Sequence, residues 1–98
     1  MLGLKKYNII VEPVVVSIDL KKISTRNKDI IKKTIQQKLT TYPDLYSLPL
    51  KRPLANYRKL RVKKYRVIFK LNTKKKECLI IGIRHREDIY QKISKRTQ

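Results

Sequence analysis

Three strand-like segments follow one another in the second half of the chain, and this arrangement limits the possible folds more than any other feature. They are separated by short polar turns and are YRKLRV (residues 57–62), YRVIFKL (65–71) and ECLIIGIR (77–84). Because successive side chains on a strand point to opposite faces, Leu60 and Val62 share one face of the first segment. Lys59 and Arg61 then share the other face. Strands joined by such short turns pair antiparallel, so the segments predict an antiparallel sheet with an apolar face.

The first part of the chain predicts one more strand, followed by a helix. Residues 7–11 (YNIIV) alternate and predict a short strand that ends near Pro13. The segment after Pro13 is ambiguous, because its three valines favour a strand. Proline suits the first position of a helix, however, and Val16, Leu20 and Ile23 recur at a helical spacing. We therefore predict a helix there.

A second helix, a long loop and a short final helix complete the order of elements. Ser24 is suited to cap a helix that runs to Leu39 with an apolar stripe. Residues 40–57 contain three prolines and no periodic pattern, which predicts a connecting loop. From Arg86 to about Lys95 we predict a helix with acidic residues in its first turn, where the helix dipole favours anions.

The resulting order, β-α-α-β-β-β-α, predicts an α+β fold with a single domain over residues 1–98. Its two N-terminal helices pack on one face of a twisted, mainly antiparallel sheet. Two helices cover only one face of such a sheet, so the other face is expected to be open to solvent or to a ligand.

The formal net charge of +19 is the strongest functional signal in the composition. Residues 1–50 have nine Lys and Arg against four Asp and Glu, whereas residues 51–98 have seventeen against three. Like charges at this density repel one another, and a polyanionic partner offsets that repulsion. Nucleic acid is the commonest such partner, with an acidic protein or a membrane surface as the next candidates. The second half of the chain therefore predicts a nucleic-acid-binding surface.

The alternation of the last strand segment predicts which of its residues lie on the open face. Parity assigns the core side to Leu79, Ile81 and Ile83, and the open side to Cys78, Ile80, Gly82 and Arg84. Arg61, by the parity of its own strand, lies on the same open face as Arg84. Arginine binds phosphate oxygens through paired hydrogen bonds and keeps its charge. The two arginines, with His85 and Tyr90 close in sequence to Arg84, predict a phosphate-binding surface.

Several other chemistries are excluded by what the sequence lacks. The seven carboxylates are scattered and the chain has one histidine, so we expect no metal site and no two-metal nuclease. Two glycines do not make a phosphate-binding loop, and we expect no cofactor. Cys78 has no partner for an internal disulfide and is expected to be a small buried side chain. Without an apolar run of membrane-spanning length or a secretory signal, we expect a cytoplasmic location.

Metal-independent cleavage is still open to this surface if the substrate is RNA, which carries its own nucleophile. The 2′-OH attacks the adjacent phosphorus, and the protein supplies a base, cations for the phosphorane and an acid for the leaving oxygen. Nearby cations favour the phenolate form of a tyrosine, which makes Tyr90 a candidate base. Tyr90 is also compatible with a half-buried anchor, and Arg61 with a solvated strand face. His85 is compatible with an acid, a phosphate donor or a surface residue.

The strand segments also carry motifs that match a known family. These are YR (57–58), LRV (60–62), YRVIF (65–69), Gly82, HR (85–86) and Tyr90. In these motifs the sequence resembles the RelE/ParE superfamily of bacterial and archaeal toxins, and the predicted first strand and helix pair stand where that family has them. It departs from the family at Arg52-Pro53 and Ala55-Asn56, where glycines are common, and at Lys63-Lys64, which replaces a usual Gly-Asp turn.

The resemblance implies a RelE-like endoribonuclease that cuts mRNA in the ribosomal A site and so inhibits translation. By that likeness Tyr90 is the base, Arg61 stabilises the phosphorane, and Arg84 does so or assists the leaving group. His85 is kept as a further catalytic candidate. The residues expected to hold the RNA backbone are Lys51, Arg52, Arg58, Lys59, Lys63 and Arg86.

The resemblance further implies partners and leaves two alternatives open. The expected partners are an acidic antitoxin that covers the basic face, the ribosomal A site and mRNA. The superfamily also contains ParE-like toxins that poison DNA gyrase, and a non-catalytic RNA-binding domain is compatible with the same charge pattern. We favour the mRNA endonuclease because Arg61, Arg84 and Tyr90 are all present.

Overall fold

The computed structural model describes residues 6–87, 93 and 95–97, which contain a five-stranded mixed sheet. Its strands are β1 (Asn8–Val11), β2 (Leu48–Pro49), β3 (Arg58–Val62), β4 (Tyr65–Asn72) and β5 (Glu77–His85). They lie in the order β1-β5-β4-β3-β2. β1 pairs parallel with β5, and the other pairs are antiparallel. The predicted antiparallel sheet of three segments is therefore present as β3, β4 and β5, with one strand added on each side.

Two helical segments connect β1 to the rest of the sheet. The first is wound as a π-helix over Val15–Asp19 and a 3-10 turn over Leu20–Lys22. The second is the α-helix α1 (Thr25–Lys38), whose first turn is capped by Ser24. The Ser24 hydroxyl accepts a hydrogen bond from the Asn27 N–H at 3.2 Å. Both predicted helical segments and the predicted cap are present, and the α+β class is confirmed.

The side chains of the first helical segment that face the sheet differ from those predicted. The expected stripe was Val16, Leu20 and Ile23, but Val16 is exposed and Leu20 is half-buried. The buried positions are instead Val15, Asp19 and Ile23. These positions recur every four residues, and the expected stripe missed them because a stripe chosen for apolar side chains passes over an aspartate. An aspartate thereby occupies a position directed at the protein interior.

The main core lies between the helical segments and one face of the sheet. Its buried apolar side chains are Val15, Ile23, Ile31, Ile35, Leu39, Leu60, Val62, Val67, Phe69, Ile80 and Ile83. The α1 stripe and the apolar side of β3 therefore face each other as predicted. Cys78 is also fully buried, and burial raises the pKa of its thiol to about 11, so this cysteine is an unreactive core residue.

A second apolar cluster covers part of the opposite sheet face, which we predicted to be open. It consists of Leu50, Leu54, Ile68, Ile81 and Ile93. Leu50 and Leu54 belong to the proline-rich segment that we predicted to be only a connecting loop, which also contains β2. Burial of their apolar side chains favours folding of this segment back over the sheet. The prediction of an open face is wrong for this part of the sheet.

A β-bulge explains where the predicted alternation of β5 fails. Two consecutive residues of β4 pair with Gly82 and with Ile80, so Ile81 is an extra residue in β5. One extra residue reverses the faces of all residues that precede it. Cys78 and Ile80 therefore lie in the main core, whereas Ile81 and Leu79 pack in the second cluster. Residues after the bulge keep the predicted sides.

The predicted C-terminal helix falls partly outside the described residues. Arg86 and Glu87 form a turn after β5, and Ile93, Lys95 and Arg96 are helical. Residues 88–92 lie outside the description. In the part of the chain that the structure describes, no helix has the length and apolarity needed to cross a membrane.

Candidate nucleic-acid interface

Three arginines stand side by side on neighbouring strands at one end of the sheet. Arg61 of β3 pairs with Arg66 of β4, and Arg66 pairs with Arg84 of β5. We call these three residues the arginine row. Side chains of directly paired residues lie on the same face, roughly 5 Å apart at Cβ, and like charges in that position repel. The register agrees with the prediction that Arg61 and Arg84 share a face, and it adds Arg66, which was not among the predicted phosphate-binding residues.

The members of the arginine row differ in how far they are available to a ligand. Arg61 is exposed. Arg66 is half-buried, and its Nη1 donates to the carbonyl oxygens of Lys63 at 3.0 Å and Tyr65 at 2.8 Å. These bonds hold the Arg66 guanidinium at the turn between β3 and β4. Arg61 is therefore the member of the row that is best placed to meet a phosphate from solvent.

Arg84 does not project into solvent as the open-face prediction implied. It is 6% exposed, and its Nη1 lies 3.1 Å from Oδ1 of Asp19. β1 pairs with β5 only as far as Val11 and Ile80, so among the described residues the remainder of β5 has an edge without a paired strand. Asp19 lies on that edge, where its Oδ2 accepts the N–H of Ile83 at 2.9 Å. The Arg84 side chain thus belongs to a buried ion pair at the strand edge.

Asp19 is the centre of this cluster, and it also binds Arg96 from the C-terminal segment. The Arg96 Nη1 donates to Oδ2 and its Nη2 to Oδ1, both at 2.7 Å. Burial alone would raise the pKa of Asp19, but hydrogen bonds from Arg96, the Ile83 N–H and Arg84 outweigh it and lower the pKa. The bond to Asp19 raises the pKa of Arg96. Asp19 therefore remains an anion shared between two arginines.

Two described residues of the C-terminal segment, Ile93 and Arg96, contact β5. Arg96 Nη1 donates to the carbonyl oxygen of Ile81 at 3.0 Å, and the Ile93 side chain is fully buried. Ile93 packs over Gly82, where an added Cβ would overlap the Ile93 Cδ1 atom. A side chain at position 82 would therefore force the Ile93 side chain to move.

His85 pairs with Tyr65 and therefore lies on the sheet face opposite to the arginine row. Its ring contacts that of Tyr65 edge to face, with centroids 5.9 Å apart. Its Nδ1 lies 3.3 Å from the Glu87 N–H, which donates to it. A pocket of about 180 Å³ at the end of β5 is nevertheless lined by His85, Arg84 and Asp19 together. The structure brings His85 near Arg84, but not into the row.

Arg58, a predicted RNA contact, is used to hold the preceding loop. Its Nε donates to the Ser47 hydroxyl at 2.7 Å, and its Nη2 donates to the carbonyl oxygens of Asp44 at 3.0 Å and Ser47 at 2.9 Å. It pairs with Phe69, so it lies on the core side of β3. These contacts give Arg58 a structural role in fixing residues 43–47.

The other predicted RNA contacts lie around the arginine row or in the loop before it. Lys59 is half-buried and shares the Arg61 face of β3, because it pairs with Ile68 of the second cluster. Lys51, Arg52, Lys63 and Arg86 are exposed. The Arg86 N–H donates to the Lys64 carbonyl oxygen at 2.8 Å, which brings the end of β5 to the β3–β4 turn. Tyr90, the predicted base, lies outside the described residues.

A family match assigns this protein, with its sheet, helical pair and cationic end, to the toxins of type II toxin-antitoxin systems. The sequence matches the ParE toxin of the type II toxin-antitoxin system parDE over residues 16–90. The chain belongs to this family, within the RelE/ParE superfamily. No curated protein matches the sequence.

Solved structures of RelE toxins share the fold. The toxin-antitoxin complex RelBE2 from Mycobacterium tuberculosis matches with a TM-score of 0.76 and 21% identity, covering 82% of this chain and 98% of that one. A double arginine mutant of Escherichia coli RelE in the free state gives a TM-score of 0.71 and 16% identity, covering 95% and 99%. The archaeal RelE-RelB complex from Pyrococcus horikoshii gives 0.63 and 21%, covering 82% and 94%. At these identities the likeness establishes the fold.

Proposed function

We propose that this toxin is a ribosome-dependent mRNA endonuclease that inhibits translation by metal-independent cleavage. The observation that supports this most is the arginine row, in which an exposed Arg61 lies in register with Arg66 and Arg84. Adjacent guanidinium groups repel one another, and a phosphate between them relieves that repulsion. The row therefore favours a ligand whose charge is concentrated at one phosphate.

In the proposed reaction, the 2′ oxygen of a ribose forms a bond to the adjacent phosphorus and the bond to the 5′ oxygen breaks. The products are a 2′,3′-cyclic phosphate and a 5′-OH. Arg61 stabilises the charge on the phosphorane oxygens, a role that electrostatic preorganisation makes effective. We propose that Tyr90, identified by its motif, is the base that accepts the proton of the 2′-OH. The departing 5′ oxygen takes a proton from His85, or from water while Arg84 stabilises its charge, since both residues line the pocket at the end of β5.

A second candidate, inhibition of DNA gyrase, is favoured by the match to ParE toxins. A translating extract and a gyrase supercoiling assay, run with the same purified protein, separate the two. The endonuclease predicts fragmented mRNA with supercoiling unaffected. Loss of supercoiling with intact mRNA would favour the gyrase inhibitor, and RNA binding without either effect would favour a non-catalytic RNA-binding domain.

We further propose that the antitoxin is acidic and amphipathic. An apolar groove of about 680 Å³ lies between β1, the π-helix and α1, and its lining includes Val16 and Ile35 together with Lys28 and Lys32. An apolar floor bordered by lysines complements a segment with one apolar and one acidic side. The structures that share this fold include RelE toxins in complex with RelB antitoxins.

The test is co-purification with the acidic product of a neighbouring reading frame. Val16→Glu, at a residue that is 55% exposed in the groove, should abolish co-purification. Leu45→Glu, at an exposed residue next to β2 at the other edge of the sheet, should not. Co-purification that survives Val16→Glu would show that the antitoxin binds elsewhere.

A further inference from the structure

Asp19 is held unequally by its two arginines. Arg96 makes two contacts of 2.7 Å, one to each carboxylate oxygen, whereas Arg84 approaches one oxygen at 3.1 Å. The Ile83 N–H adds a backbone donor at 2.9 Å. If Arg84 moved away, Asp19 would keep a bidentate partner and this donor. Its buried charge would then remain compensated, so the movement would not leave an isolated anion in the interior.

Arg84 also stands next to like charges. Arg66 is its direct neighbour across the β4–β5 ladder, and Arg61 is the next residue in the row. Their repulsion favours the Arg84 guanidinium turned toward Asp19 when no anion is bound. A phosphate at Arg61 reverses this preference, because it brings negative charge to the row. The Asp19 carboxylate and a bound phosphate are thus alternative anionic partners for Arg84.

We propose that Arg96 is a positioning residue that acts through Asp19: by neutralising this carboxylate, it allows Arg84 to exchange Asp19 for a phosphate of the bound nucleic acid. Without Arg96, Arg84 becomes the principal counter-ion of the buried Asp19 carboxylate and cannot bind a phosphate at the arginine row. This inference rests on the proposed function for the identity of the ligand as RNA.

The contacts that hold Arg96 on β5 determine when Arg84 can exchange its partner. Arg96 is held by the Ile81 carbonyl oxygen, and the neighbouring Ile93 is packed over Gly82. Arg96 therefore neutralises Asp19 only while the C-terminal segment is docked on β5. The position of that segment then determines whether Arg84 is available to a phosphate.

The test measures binding of a single-stranded RNA oligonucleotide with 2′-O-methyl riboses, which cannot be cleaved by 2′-OH attack. Arg96→Gln should weaken binding about tenfold and lower the slope of log K against log salt by about 0.7, the contribution of one phosphate contact on a single strand. Lys95→Gln is the matched control, because it removes one charge from an exposed neighbour. It should change the affinity by less than about threefold, since exposed charges are screened.

The double variant Asp19→Asn/Arg96→Gln is decisive. It removes the carboxylate that would retain Arg84, so affinity and salt slope should return to within about twofold of the wild-type values. If Arg96 only supports the fold, the double variant should bind as weakly as Arg96→Gln or more weakly. That result would overturn the proposal, as would normal binding by Arg96→Gln.

If Arg96→Gln does not fold, as judged by circular dichroism, Asp19→Asn alone decides the matter. It should bind the oligonucleotide several-fold more tightly with an unchanged salt slope, because loss of the competing carboxylate strengthens the phosphate contact that Arg84 already makes, and the gain should disappear when Arg84→Gln is added. No gain, or a gain that survives Arg84→Gln, would overturn the proposal. A protein that follows this binding pattern but leaves mRNA intact in a translating extract would contradict the proposed function and not this inference.

Discussion

Asp19 shows what a single residue contributes and why its role was hard to predict. In the sequence it is one acid within the apolar segment VVSIDL, and a stripe chosen for apolar side chains leaves it outside the core. The π-helix places it at 1% exposure, where it joins the edge of β5 to two arginines. Its spacing of four residues from Val15 was the one sign in the sequence that the two side chains share a side of the helix. The winding of the segment depends on tertiary packing and could not be inferred from the sequence.

Replacing Asp19 by Asn should lower the free energy of unfolding by about 2 kcal/mol at pH 7, because two arginines lose a buried anionic partner. Although burial opposes it, hydrogen bonding lowers the pKa of Asp19. The stability that ionised Asp19 contributes is therefore complete above its unfolded pKa of about 4 and is lost as the pH falls through the lower folded pKa. Urea unfolding should show a gap between wild type and variant at pH 7 that narrows in strong acid. A gap of constant size would contradict this account.

Lys63 illustrates backbone strain at the β3–β4 turn. Its φ is 54°, a left-handed conformation that costs a side-chain-bearing residue about 1 kcal/mol and that glycine adopts freely. This explains why a glycine is usual at the turn in the family that the sequence resembles. Lys63→Gly should raise the free energy of unfolding by about 1 kcal/mol.

Lys64→Gly is the matched control for this turn, since it removes the same charge from a residue without a positive φ. It should lower the free energy of unfolding by about 0.5 kcal/mol through backbone entropy. Urea unfolding of both variants should therefore give effects of opposite sign. Equal effects would show that charge, and not conformation, dominates at the turn.

Among the elements, β4 and β5 both contribute side chains to the two apolar clusters. The hairpins, α1 and its Ser24 cap were predictable, since alternation and capping are local properties of the sequence. The bulge at Ile81 was not, because an extra residue in a ladder shows only when the partner strand is known. The burial of the second sheet face by Leu50 and Leu54 was also not predicted, because these residues lie in a segment without a periodic apolar pattern. Arg61 and Arg84 could be placed on one face because both lie beyond the bulge.

The contact between β5 and the C-terminal segment can be tested through Gly82. A Cβ there overlaps the Ile93 Cδ1 atom, so Gly82→Ala should lower the free energy of unfolding by about 1–3 kcal/mol. Ile93→Val removes that atom at a cost of about 1 kcal/mol. The double variant should therefore lose less stability than the two single variants added together. Strict additivity in urea unfolding would contradict the packing of Ile93 over Gly82.

For the whole molecule, the proposed binding of a polyanion at the end of β3, β4 and β5 would account for both the net charge of +19 and the arginine row. Composition alone predicted the polyanion, and strand parity predicted the face. Neither could show that Arg84 is paired with Asp19 or that Arg58 holds a loop, because those contacts join residues far apart in the chain. The exposed Arg61 is therefore the residue through which the proposed activity is most directly tested.

The most direct measurement is primer extension on cellular mRNA shortly after induced expression of the toxin. The wild-type protein should produce new 5′ ends inside reading frames, and Arg61→Ala should abolish them. Lys70→Ala, an exposed residue near the other end of β4, should leave them unchanged. Cleavage that persists in Arg61→Ala, or growth arrest with intact mRNA and broken DNA, would contradict an mRNA endonuclease built on the arginine row.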